Sequence, residues 1–485
     1  MKIVILGGGP TGLGSARRLH ELGHEDWLLL EAHDYAGGLA TSFEDANGFT
    51  WDIGGHVQFS HYEYFDRAMQ EFLGPEGWFR HQREAWVWMR DRFIPYPLQN
   101  HAHHLPKADF DRCVQGLAAL RDQPPARPAD FRAWMLGTFG TGLCELFMVP
   151  YNEKVWAFPP EKMNAVWVGE RVAPPDLDKL MRSFAAAKDD VPWGPNSTFG
   201  FPARGGTGAI WKACARSLPP ARFRWQTPMR RLDLAGRRLW TDTGEEIAYD
   251  ALISTIPLTE LIRAAGLAQF AAVAEKGLLH SSSNIVGIGL EGQVPEALRT
   301  KCWMYFPEAD CPFYRVTVFS NYSPHNVPDS ARHWSLMAEV SESADKPVNR
   351  ETLVRDVIDG LRRTRLIGDG DRIVSTWSFR AAYGYPTPGL HRDEALAEIL
   401  PHLEAHRVYS RGRFGAWKYE VSNQDHSFMQ GVEIVERLLH GRPEITVADP
   451  NHANSQRHPF PFARWSAADA AGPAPGGEIT GEMSR

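Results

Sequence analysis

The stretch "KIVILGGGPTGLGSARRLHELGH", residues 2–24, decides the fold. Ile3, Val4, Ile5 and Leu6 form an unbroken apolar run, the pattern of a strand buried on both faces of a parallel sheet. Gly7, Gly9 and Gly12 follow as G-x-G-x-x-G, with Thr11 inside the same turn. The first glycine permits the tight turn, the second lets backbone approach a pyrophosphate, and the third lets the helix pack on the strand. Leu13, Ala16 and Leu19 recur on one helical face, and Gly23 ends the helix. A second strand, "WLLLE", closes on Glu31, nineteen residues beyond Gly12 and placed to bind ribose hydroxyls. Taken alone, the glycines fit an ordinary turn. Strand, helix, second strand and terminal acid together point to a dinucleotide.

The rest of the chain sets the frame. Its 485 residues, 43% hydrophobic and 11% aromatic, are enough for two or three domains. A net charge of −7 gives no basic field for nucleic acid, so an anionic ligand must be held by local cations. The cysteines, at 113, 144, 214, 302 and 311, form no CxxC pair. This predicts a reduced, cytoplasmic protein with no thiol metal site, and no metal is expected. The N-terminal apolar run is too short for a signal segment, and no other run is long enough to span a bilayer, so no membrane role is expected. Residues 466–485 are small and rich in Pro and Gly, and are expected to be disordered.

"AGGLATSF" (36–43) decides between dinucleotides. Gly37, Gly38 and Leu39 resemble the extended fingerprint of FAD proteins of the glutathione-reductase and amine-oxidase type. Residues 200–218 read as a glycine-rich entry into a helix. Residues 223–256 read as a β-meander with turns at Ala235-Gly236 and Thr243-Gly244, ending in the strand "ALISTI". In amine-oxidase-like proteins a backbone group near the start of such a meander touches the adenine, and Met229 matches that place. "NQDHSFMQGVEIVERLL" (423–439) reads as a helix, with Asp425 or Ser427 as cap and Phe428, Val432, Val435 and Leu439 inward. Its positive end, carrying Asn423, Gln424 and Ser427, is placed to face the flavin pyrimidine. The expected class is α/β. A Rossmann-like FAD domain (1–60, 200–265, 405–465) carries a helical insertion (100–199) and an antiparallel β-sheet substrate domain (61–99, 275–400).

One residue stands against this background. Arg315 lies in "CPFYRVTVFSNYSP" (311–324), among residues that read as a buried strand. A charge there needs a partner. Glu308 and Asp310 are the acids at hand, and a ligand anion is the alternative.

Long segments then carry a resemblance. "GGHVQFSHY", "PYPLQN", "LFMVPYNEKVWAFP", "GERVAPP", "GPNSTFGFPARGGTGAIW", "KCWMYFPEADCPFYRVTVFSNYSP", "EVSES", "GYPTPGL" and "SRGRFGAWKYEVSNQDHSFM" run in order to about residue 440. They resemble the UDP-galactopyranose mutase family, its eukaryotic-type branch above all. The resemblance implies a non-redox reaction in which N5 of reduced FAD is the nucleophile, NADPH or NADH is the reductant, and an NDP-sugar, UDP-galactopyranose, becomes the furanose. It implies that Arg171 and Arg315 clamp the diphosphate. It places Gly55 and His56 against the isoalloxazine, with His56 acting through backbone as much as imidazole. Tyr305, Tyr322, Tyr385 and Tyr419 would bind phosphate, with Trp303 in the same site and Asn423 between substrate and flavin. Tyr96, Gln99, Phe147, Asn152 and Trp156 would hold the uridine, and Asn196 belongs to a candidate flap (180–197). A homo-oligomer is compatible with the sequence. Leu98 and Gly200 depart from the family, which has an aromatic and a larger residue there; they leave the nucleobase and sugar open. The alternatives are the same chemistry on another NDP-sugar, or a redox FAD amine oxidase or desaturase.

Overall fold

The computed structural model describes residues 1–121, 127–169, 172, 174–186, 189 and 197–459. Its central element is a parallel sheet of five strands in the order Val408–Ser410, Ala251–Ser254, Ile3–Leu6, Trp27–Leu30 and Phe223–Arg224. Parallel neighbours need crossovers, so both faces are covered. Ile3, Ile5, Leu29 and Ile253 pack under one set of helices, while Val4, Leu6, Leu30 and Leu252 pack under the meander and the helix Arg392–Ala405. The continuous apolar run of residues 3–6 is explained by this two-sided burial. The predicted meander is present as strands Met229–Asp233, Arg238–Thr241 and Glu246–Ala248.

The first helix, Pro10–Glu21, crosses the long helix Gln424–His440 with almost no side chain between them. A Cβ on Gly14 would lie 2.4 Å from the Phe428 carbonyl oxygen, and one on Gly431 would lie 2.0 Å from that of Thr11. Ser15 Oγ donates to the Gly431 carbonyl across the same crossing at 3.0 Å. The end of the chain is thereby locked to its beginning.

A sheet of seven strands stands beside this unit, in the order Ile373–Pro386, His280–Glu291, His333–Glu342, Arg315–Val318, Trp303–Tyr305, Ala85–Met89 and Arg92–Pro95. All neighbours are antiparallel except 303–305 with 85–89. The helical insertion contains Lys107–Ala118, Phe131–Leu143 and Val149–Trp156, with a π turn over Cys144–Met148. Gly140, at φ 69°, bends the second of these helices.

Two of the expected boundaries move. The helix Glu63–Leu73 turns Tyr64, Phe65, Ala68 and Met69 into the core of the first helix, so residues 61–73 do not belong to the β-sheet unit. The helix Arg392–Ala405 likewise packs beneath the parallel sheet through Ala395, Leu396, Ile399 and Leu403. In both cases an apolar helical face was available to the nearest uncovered sheet face, which alternation within strands does not reveal. All five cysteines are buried and free. The tail 466–485 lies outside the described residues. No helix among those residues is long and apolar enough to cross a membrane.

Candidate active site

The glycine turn leaves a cradle. Gly7 sits at φ 101°, and a Cβ on Gly12 would lie 1.9 Å from the Gly7 carbonyl oxygen, so the turn closes only on glycine there. A Cβ on Gly9 would meet nothing nearer than 3.9 Å, which leaves the backbone open to a ligand. Gly9 caps the first helix without a side chain, and by helix geometry the N–H groups beginning at Thr11 have no partner within the helix. Glu31 is buried, accepting the Gly8 N–H at 2.6 Å and the His33 N–H at 2.9 Å. Gly38 and Leu39 begin the short turn beside Gly9, and Met229 opens the meander, half-buried. An uncapped helix end, an open glycine and a fixed carboxylate fit a dinucleotide.

The long helix presents a second uncapped end. Asn423 is its N-cap and makes no side-chain cap bond. The expected caps are otherwise engaged. Asp425 Oδ2 accepts from both the backbone N–H (3.1 Å) and Nδ1 (2.8 Å) of His61, and Ser427 Oγ donates to the Ser422 carbonyl at 3.3 Å. With Oδ2 held by two N–H groups of His61, Asp425 ties the helix start to the segment at residue 61. Gln424 Oε1 accepts from Trp211 Nε1 at 2.8 Å.

Arg315 meets Glu339, neither of the acids that local sequence offered. Nε donates to Oε1 at 2.6 Å and Nη2 to Oε2 at 2.7 Å. Glu308 accepts from Arg90 instead, and the Asp310 carbonyl accepts from Arg363. The pairing follows from sheet register, since Arg315 and Glu339 are direct antiparallel partners. Sequence alone does not give that register. The same carboxylate accepts the Tyr314 hydroxyl at 2.7 Å and the Gly55 N–H at 3.0 Å. Burial pushes the Glu339 carboxyl up, but Arg315, Tyr314 and Gly55 together hold it below its ordinary value. The Arg315 side chain remains 21% exposed, and its Nη1 donates to no described residue. One edge of the guanidinium is fixed, and the other is available.

His56 follows Gly55 on that loop. Its Nδ1 is buried without a hydrogen-bond partner, and burial, helped by Arg413 and Arg315 against Glu339, pushes its pKa down to about 4. The imidazole is therefore neutral at physiological pH. A neutral folded form contributes full stability above the ordinary imidazole value of 6.5, which is lost as pH falls to about 4. Urea midpoints measured between pH 7 and 4 are expected to fall less steeply in His56→Gln than in the parent. An identical slope would contradict the burial of this ring.

Around these groups runs an aromatic belt. Tyr305 lies 4.9 Å from Tyr96 and 5.4 Å from Tyr151, between ring centroids, and Tyr151 stacks on Phe147 at 5.3 Å. Trp156 lies 4.8 Å from Tyr419 and 5.8 Å from Tyr385. Trp303 Nε1 donates to the Tyr305 hydroxyl at 2.7 Å. Burial raises the hydroxyl pKa of Tyr96, Tyr151, Tyr305, Tyr322 and Tyr385, keeping them as donors. The buried Tyr322 hydroxyl and Thr317 Oγ1 have no hydrogen-bond partner among the described residues. Gln99 is buried, and Asn152 Nδ2 donates to the Met148 carbonyl at 2.7 Å.

Some members of the site carried no sequence signal. The Arg413 guanidinium lies over Tyr385 at 5.0 Å and Tyr419 at 5.9 Å, and that of Arg83 lies over Tyr96 at 5.7 Å. With Glu339 neutralising much of the Arg315 charge, these guanidiniums add positive charge to the belt. Leu98 is 0% exposed within the core of the helical insertion, so it offers no open wall to a base. A Cβ on Gly200 would meet only Trp78 and the Gln58 carbonyl oxygen, at 3.4 Å or more, which leaves room for a larger residue. Arg171 and Asn196 lie outside the described residues.

Comparison with known proteins agrees with this geometry. The family model described as flavin containing amine oxidoreductase matches residues 10–409. A crystal structure of reduced UDP-galactopyranose mutase superposes with a TM-score of 0.92 at 48% identity, covering 95% of this chain and 98% of the other. A fatty acid isomerase from P. acnes shares the fold alone, with a TM-score of 0.59 at 15% identity over 90% of this chain and 98% of the other. Among curated sequences, a 15-cis-phytoene desaturase of Glycine max is 37% identical over 71 residues; that match covers 15% of this chain and only 12% of the desaturase.

Proposed function

Because the chain belongs to the flavin-containing amine oxidoreductases and, within that fold, to the UDP-galactopyranose mutases, we propose that it is a flavin-dependent isomerase of a nucleotide sugar, converting UDP-galactopyranose to UDP-galactofuranose. The observation that carries the reading is the Glu339 junction. A single buried carboxylate holds the backbone of the loop expected against the flavin (Gly55) and the guanidinium expected against the diphosphate (Arg315). A redox oxidase needs no such tie between its flavin loop and an anion-binding arginine.

FAD would be held by Gly7, Gly9, Thr11, Gly12, Glu31, Gly38 and Leu39 at its adenosine and pyrophosphate end, with Met229 near the adenine. Gly55, His56, Asn423, Gln424 and Ser427 would hold the ring. When bound and reduced, it supplies the nucleophilic N5. The chain's own residues do the remainder. Arg315, through Nη1, holds the diphosphate as it departs and returns, and Arg171 serves as the second clamp. Hydroxyls of Tyr305, Tyr322, Tyr385 and Tyr419 donate to phosphate oxygens without adding full charges. Tyr96, Gln99, Phe147, Asn152 and Trp156 seat the uridine, and the aromatic belt excludes water that would capture a reactive sugar. His56 is neutral and does not serve as a charged acid. NADPH or NADH supplies the electrons, and the branch of the family is the eukaryotic type.

The test is anaerobic. Flavin-loaded protein reduced with dithionite is expected to turn UDP-galactopyranose into UDP-galactofuranose, read by HPLC, whereas the oxidised protein gives none. Product from oxidised protein would remove the reduced N5 from the reaction, and consumption of an organic donor with flavin turnover would replace the reading with a redox one.

A further inference from the structure

The turn Ala102–His104 carries a feature that the flavin chemistry does not use. "HAHH" (101–104) places His103 and His104 side by side, with ring centroids 4.5 Å apart. The Nε2 atoms of both converge on one carboxylate oxygen, Asp189 Oδ1, at 3.1 and 2.5 Å. Asp189 follows the helix Leu177–Ala186, which is anchored by buried Leu180 and by Phe184 stacking on Phe110 at 4.6 Å. Behind the pair stands His101, buried, with centroids 6.2 and 6.5 Å from the other two rings. Its Nδ1 lies 3.0 Å from the Pro97 carbonyl, which only accepts, so Nδ1 carries the hydrogen. Its Nε2 is then a lone pair, buried without a partner.

We propose that His103 Nε2, His104 Nε2 and Asp189 Oδ1 form a site for a divalent transition cation of the zinc or copper class. The three atoms lie within 4.8 Å of one another. Bonds of about 2.0–2.1 Å in a tetrahedron separate ligands by roughly 3.3 Å, so the two contacts, at 3.1 and 2.5 Å, open by about 0.2 and 0.8 Å to admit the ion. Two imidazoles and a carboxylate suit zinc and copper, and not calcium or magnesium. His104 is 37% and Asp189 46% exposed at the side chain, so ions reach the site from solvent, and the inner His103 (7%) gives it a floor. Ion binding displaces protons from the histidines and ties the chain after helix 177–186 to the turn at 102–104. The other histidine–aspartate cluster, His61, Asp425 and His426, is closed by comparison, because its side chains are buried (10%, 1% and 0% exposed) and no ion reaches it from solvent.

The test uses flavin-loaded full-length chain without a polyhistidine tag, stripped with EDTA. Calorimetric titration with Zn²⁺ is expected to give one equivalent bound. One equivalent of Cu²⁺ is expected to show superhyperfine coupling to two imidazole nitrogens by EPR. His103→Ala/His104→Ala should weaken Zn²⁺ binding at least ~10-fold, and Asp189→Asn should weaken it while keeping the nitrogen couplings. His104→Gln, at the exposed position, serves if the double variant loses flavin or circular-dichroism signal. No saturable Zn²⁺ binding by the parent, or unchanged affinity in the folded histidine variants, would overturn the proposal.

Discussion

Arg315→Ala is expected to retain bound flavin and lose turnover by about 10³-fold, the loss that follows removal of a donor aimed at developing charge. The same change should lower stability by roughly 3 kcal/mol, because it leaves the Glu339 carboxylate buried without its main partner. These two effects are separable. Adding Glu339→Gln to Arg315→Ala neutralises the stranded carboxylate: the one amide oxygen can accept the Gly55 N–H, and the amide N–H can donate to the Tyr314 hydroxyl oxygen. The double variant is expected to recover most of the urea midpoint and none of the turnover. Full turnover in Arg315→Ala would remove the guanidinium from the mechanism. Recovery of activity by the double variant would show that the arginine acts only by neutralising Glu339.

Gly431→Ala is expected to do more damage than any substitution in the aromatic belt. The new methyl would stand 2.0 Å from the Thr11 carbonyl oxygen, a backbone atom that cannot rotate away. Overpacking typically costs about 1–3 kcal/mol where side chains can yield, and this contact exceeds that case. The helices that must part bring together the glycine turn and the uncapped end at Asn423, which form the two halves of the flavin seat. The variant should purify with little or no flavin, read from the visible absorbance per chain, and with a lowered urea midpoint. Flavin content equal to the parent would show that the crossing tolerates separation.

What the sequence disclosed depended on the range of the interactions. The fingerprint from Ile3 to Glu31 is local: strand, turn and helix follow one another, and Gly7, Gly9 and Gly12 have their reasons within the turn itself. The meander at 229–248 was legible for the same reason, with Gly244 (φ 83°) turning its second corner. Glu339 was not legible, since a sheet register twenty-four residues away is fixed by global packing rather than by local pattern. Arg413 and Arg83 likewise acquire meaning only when separate segments meet over the tyrosines. Leu98 stood out because the family has an aromatic at that place in a quoted motif; its complete burial makes it a packing residue. Asp425 looked like a helix cap because its position suits one, and the imidazole that claims it comes from residue 61.

The order of the parallel sheet also bears on how the protein is made. Its middle strand is residues 3–6, yet one flank, 408–410, and the helix that locks the glycine turn, 424–440, are synthesised more than four hundred residues later. A nascent chain on the ribosome therefore displays its nucleotide fingerprint early but cannot close a seat around it until over four hundred residues have emerged. Flavin capture is consequently a late event in synthesis. Until then the exposed apolar edge of the sheet is material for chaperones.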